Sequence, residues 1–151
     1  MGANTQINKL EKGRAYFAYE CVENATRVLS KEELNNYRSY TEKIPIMILT
    51  NGLGQTLAFI KAKMNVKKEG NSGEKNENAY KILYDQISDY LKSEISTRIK
   101  MDENKDLVEW VISCHLKEYR FITQEILAFM NWLKRFAEGM IEEGEGSKNE
   151  K

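Results

Sequence analysis

The sequence predicts an all-α fold, a single-domain bundle of about five or six helices. Three observations carry that expectation. Apolar residues recur at steps of three and four, no segment alternates apolar and polar side chains convincingly, and 151 residues include a single proline, Pro45. The first two separate the helical period of 3.6 from the strand period of 2, and the third leaves long helices uninterrupted. A chain of this length buries most of its unfolded surface in one core, here expected over residues 6–141.

Each element follows in order. Ile7, Leu10, Phe17, Cys21, Ala25 and Val28 draw one stripe down a first helix over about 6–29, and Arg14 falls on that stripe. A guanidinium there needs an internal carboxylate, a rim position or an external anion, because it cannot neutralise itself by losing a proton. Ser30 and Glu33 make a capping box, and Leu34, Tyr37, Thr41, Ile44 and Ile48 continue a second helix that Pro45 is expected to kink or break. Gly52 can take a left-handed conformation that closes it. A third helix runs from Leu53 to about Met64 with Leu57 and Ile60 inward.

Residues 65–78 are polar, with almost nothing to bury, and are expected to form a mobile loop. Tyr80, Leu83, Tyr84, Ile87, Leu91 and Ile95 mark a fourth helix from near Asn78 to about Ile99. Asp102 to Asp106 breaks the pattern before a short helix with Leu107, Val108, Val111 and Ile112. The final helix has the widest apolar face, from Ile122 through Phe129, Met130, Leu133 and Phe136 to Ile141, and an acidic tail over 142–151 follows.

Composition excludes several classes of function. The longest apolar run, Ile44 to Leu49, is far short of the roughly 20 residues that cross a bilayer, so no membrane contact and a cytoplasmic location are expected. Cys21 and Cys114 match no metal-ligand spacing and read as small buried hydrophobes; no metal or cofactor is expected. His115 is the only histidine, which removes histidine pairs and triads within one chain. Cys114 and His115 adjoin, yet neighbours on a helix point about 100° apart and do not face each other. The carboxylates are scattered without the clustering a two-metal nuclease needs. The chain is therefore read as a binding protein rather than an enzyme.

Formal charge sums to zero but is divided: residues 1–68 carry 11 Lys/Arg against 6 Asp/Glu, and residues 69–151 carry 12 against 17. Such a split either presents a positive face to nucleic acid or merely balances a solvated surface. Lys61, Lys63, Lys134 and Arg135 lie off the apolar faces of their helices, where phosphate contact and ordinary solvation are both open to them. Trp132 lies among apolar neighbours and reads as core before it reads as a base-stacking platform.

Three stretches go beyond generic helix: Leu10-Glu-Lys-Gly-Arg-Ala15, Asn51-Gly-Leu-Gly-Gln-Thr-Leu-Ala-Phe-Ile60, and the block from Glu118-Tyr-Arg to Trp132-Leu-Lys-Arg-Phe-Ala137. Together, over residues 7–140, they resemble the small helical subunit of the Cmr complex, the type III-B CRISPR ribonucleoprotein. The resemblance implies a non-catalytic subunit of an antiviral effector, present in several copies beside the subunits that hold guide RNA, and helping to seat target RNA. Its implied partners are other Cmr subunits, copies of itself, and guide and target RNA. Arg14, Lys43, Lys134 and Arg135 are the positions assigned to a basic groove facing RNA, with Lys61 and Arg120 as weaker members. Asn51, Gly52 and Gln55 are read as structural first. The competing readings are a helical protein-only adaptor with no RNA contact and a small nuclease using His115.

Overall fold

The computed structural model describes residues 2–64, 78–93 and 100–142, with side chains from residue 12 onward. Six helices follow one another among the described residues: α1 (Gly2–Val28), α2 (Lys31–Asn51), α3 (Leu53–Met64), α4 (Ala79–Lys92), α5 (Leu107–Ser113) and α6 (Leu116–Met140). The fold is an all-α bundle, and no strand occurs among the described residues. The expected loop over 65–77, the end of the fourth apolar stripe at 94–99 and the acidic tail from 143 lie outside the described residues.

Local chemistry explains where the helices start and stop. Ser30 Oγ accepts the Glu33 N–H at 3.2 Å, which is half of the expected capping box. The Glu33 carboxylate also reaches across the bundle to accept the Ala79 N–H at 2.9 Å, so one acid serves the first turn of α4, whose own cap is Asn78 accepting from Tyr80. Gly52 ends α2 at φ 89°, ψ 159°, a region essentially confined to glycine and more extended than the left-handed helical conformation expected of it. Helix α4 ends at Lys92, earlier than its apolar period suggests. Ser93 turns the chain there, its N–H and Oγ both donating to the Tyr90 carbonyl.

Pro45 does not break α2. An interior proline costs about 3 kcal/mol, but Ile44 and Ile48 on either side of it are 1% and 3% exposed. Burying those two side chains contributes about 1.5–3 kcal/mol each, enough to hold both halves of the helix on the core.

Helices α1 and α6 pack most extensively and run parallel, since Phe17 meets Phe129 and Tyr19 meets Phe136 in order along both. The centre of the core is aromatic. Tyr90 of α4 stacks on Phe129 of α6 at 4.4 Å and 3°, and Phe17 of α1 meets both rings edge-on. A buried polar chain ties three helices together: Tyr37 donates to Gln86 at 2.7 Å, and Gln86 donates to the Cys21 carbonyl at 2.8 Å. These partners satisfy groups that would otherwise cost about 1–3 kcal/mol each.

Candidate nucleic-acid interface

The six cations assigned to a basic groove divide into three with an ion-pair partner among the described residues and three with none among them. Arg14 is buried where α1 meets α4 and α6; its Nε donates to the Tyr90 hydroxyl at 2.9 Å and its Nη2 to Glu125 at 3.1 Å. Tyr90 completes the cluster by donating to the same Glu125 oxygen at 2.7 Å. Desolvation pulls the guanidinium pKa down, but the hydrogen bonds to Tyr90 and Glu125 outweigh it and leave the value raised. Of the environments open to Arg14 from sequence, the structure supplies the internal carboxylate.

Lys61 pairs with Asp106, which also accepts from the Tyr84 hydroxyl at 2.7 Å. Burial pushes the Asp106 carboxyl up, yet the hydrogen bonds from Lys61 and Tyr84 together hold it below its ordinary value. Lys134 faces Glu138 one turn along α6 at 4.0 Å, the outer limit of an ion pair. Lys43, Arg120 and Arg135 are exposed and have no ion-pair partner among the described residues. The set does not converge on one groove. Lys61 belongs to the α3–α5 end, whereas Arg14 and Arg135 border one hollow on α6.

Two hollows mark these regions. The larger, about 310 Å³, is bounded by Asp85, Asp89 and Asp106 together with Lys92 and Lys105. The smaller, about 160 Å³, lies on α6 beside Arg14 and is lined by Ala128, Asn131, Trp132 and Arg135. Trp132 is half-buried and stacks on Phe136 at 5.8 Å and 22°, so it is part core and part surface.

The sharp Asn51–Gln55 segment proves to be a packing junction. Gly54 N–H donates to the Tyr119 hydroxyl at 2.8 Å, and a Cβ at Gly54 would stand 3.4 Å from the Ile112 methyl. That contact locks the α2–α3 turn to the α5–α6 turn. Tyr119, Tyr90 and Glu125 were absent from the sequence-based site because nothing local marks them: the Arg14–Glu125 pair spans 111 residues.

Nucleophile chemistry finds no support at the cysteines. Burial raises the Cys21 thiol to about 12, and burial with Glu118 raises that of Cys114, the reverse of what an activated thiolate requires. Cys114 Sγ donates to the Trp110 carbonyl at 3.2 Å, while exposed His115 begins α6. Among the described residues, no group of three or more His, Cys, Asp or Glu is placed to hold a metal ion, and no helix is long and apolar enough to cross a membrane.

The described residues define a small all-α bundle that exposes Lys43 on α2 and Arg120 and Arg135 on α6. Residues 10–140 match the family of CRISPR-associated protein (Cas_Cmr5), and the chain belongs to that family. It is 29% identical over 126 residues to the CRISPR system Cmr subunit Cmr5 of Thermus thermophilus, covering 83% of this chain and 90% of that protein. The crystal structure of a Cmr5 family protein from the same organism superposes with a TM-score of 0.62 at 27% identity, covering 87% of this chain and 99% of that one.

Proposed function

We propose that the chain is a non-catalytic subunit of a Cmr-type CRISPR effector in the cytoplasm, where it stacks beside other Cmr subunits and copies of itself and helps seat target RNA against guide RNA. The match to the Cas_Cmr5 family over residues 10–140 carries the subunit reading. Exposed Lys43, Arg120 and Arg135 support the RNA contact; Arg120 and Arg135 are about 22 Å apart along α6, a spacing that engages separate phosphates of one strand. Arg14, Lys61 and Lys134 are paired within the chain, which leaves the exposed three as the expected contacts.

The test is target-RNA affinity against salt for assembled complexes carrying Lys43→Glu, Arg120→Glu or Arg135→Glu. Each exposed cation lost is expected to lower the salt slope by about one unit, uniformly across target sequences, because guide pairing does the discrimination. Unchanged slopes in all three would favour the protein-only adaptor. That second reading draws on Ile46, Leu49, Ile112 and Leu116, which are 64–75% exposed and suit contact with neighbouring subunits.

A further inference from the structure

We propose that the hollow beside Arg14 on α6 seats one nucleotide of single-stranded RNA, with its phosphate on Arg135 and its base against Trp132; this rests on the RNA reading above. At about 160 Å³ the hollow is well below the roughly 300–1,000 Å³ that encloses a drug-sized ligand, and it suits a single base or phosphate. Its lining has the chemistry of nucleotide recognition. Arg135 is exposed at the rim with no ion-pair partner among the described residues, and its planar fork matches two phosphate oxygens. The Trp132 indole borders the space, stacks on Phe136 and offers an aromatic surface to a base. The Asn131 carboxamide offers both a donor and an acceptor to a base edge.

Arg14 closes the floor. Its charge is answered by Glu125, so it adds a rigid polar wall rather than a second mobile cation. Arg135 is therefore the group that selects for an anion, and Trp132 the group that selects for a base.

The experiment uses the full ¹⁵N-labelled chain titrated to millimolar ligand, with the two indole N–H signals as reporters. A ten-nucleotide oligouridylate is expected to shift the Trp132 indole and the Asn131 side-chain amide while the buried Trp110 indole stays in place. Arg135→Gln, at an exposed position, is expected to weaken that response about tenfold, as is Trp132→Ala when read on the Asn131 amide alone, while Trp132→Phe retains part of the Asn131 response. Uridine monophosphate is expected to bind the same signals more weakly than the oligomer, and inorganic phosphate more weakly still. A Trp132 signal unmoved by the oligomer overturns the proposal. So does a response to the mononucleotide or to phosphate that equals or exceeds the oligomer's, since the site would then serve a free nucleotide or an anion. If Trp132 stays silent while Lys43→Glu and Arg120→Glu still lower the salt slope of the assembled complex, the hollow fails and the RNA-seating function stands. If none of the slopes changes, that function fails too.

Discussion

Arg14, Tyr90 and Glu125 at the junction of α1, α4 and α6 form the same chemical trio as Lys61, Tyr84 and Asp106 at the junction of α3, α4 and α5. In each, a cation and a tyrosine hydroxyl donate to one oxygen of a carboxylate. In each, the tyrosine oxygen also accepts an N–H, from Arg14 Nε in one and from the Val108 backbone in the other. Burial is what separates them. The ion-pair side chains are 8% and 12% exposed in the first and 41% and 35% in the second. Water screens the second trio and cannot reach most of the first, so equal wiring carries unequal energetic stakes.

The largest expected effect comes from breaking the buried trio on one side. Glu125→Ala removes the carboxylate to which the buried Arg14 guanidinium and the Tyr90 hydroxyl both donate and is expected to cost about 3–5 kcal/mol, read as a fall in the urea midpoint at constant m. Removing both charges with Arg14→Met and Glu125→Leu is expected to recover most of that loss, because apolar replacements avoid the desolvation of an ion pair. A double variant as unstable as the single one would show that packing, and not the stranded charge, dominates there.

Tyr90→Phe keeps the stack on Phe129 but removes one acceptor from Arg14 and one donor from Glu125. Its expected cost is about 1–3 kcal/mol by the same measurement. Lys61→Ala, in the exposed trio, is expected to cost under about 1 kcal/mol, and the difference is expected to vanish in about 1 M salt, where charges screen within a few ångströms. A Lys61→Ala penalty matching that of Glu125→Ala would erase the contrast between the two sites.

The smallest effect is a pH dependence. The Asp106 pKa is lowered in the fold, so its ionised form contributes stability that is present above the unfolded carboxyl pKa of about 3.9 and is lost as pH falls through the lower folded value. Asp106→Asn is therefore expected to be less stable than the parent near neutrality, with the gap closing below about pH 4. A gap that persists unchanged in acid would mean that the Asp106 charge adds little to the trio.

Helix positions were largely legible because burial along a helix repeats every three to four residues, and the stripes through Ile44 and Ile48 or through Ile126 and Leu133 are visible without a structure. Ser30, Gly52 and Asn78 were readable as boundaries for the same reason: a cap or a positive φ acts on residues two to four positions away. Pro45 does not break α2 because its cost is local, while the burial that offsets it depends on which helices lie against Ile44 and Ile48. The candidate site was legible only as a set of cations. The pattern set Arg14 on an apolar stripe and Arg135 off one, but nothing in it named the carboxylate 111 residues away that engages Arg14, or the hollow that Arg135 lines.

By itself, then, the order of residues determined the helical class, the helix boundaries with a cap, and the family-like segments whose match runs over residues 10–140. The tertiary structure alone decided which charges are used up internally. Glu33 caps a helix that starts 46 residues later, Glu125 neutralises Arg14, Asp106 holds Lys61, and Lys43, Arg120 and Arg135 stay exposed. The reason is range: a helix forms through contacts within one turn, whereas an ion pair forms wherever packing brings two distant helices within about 4 Å.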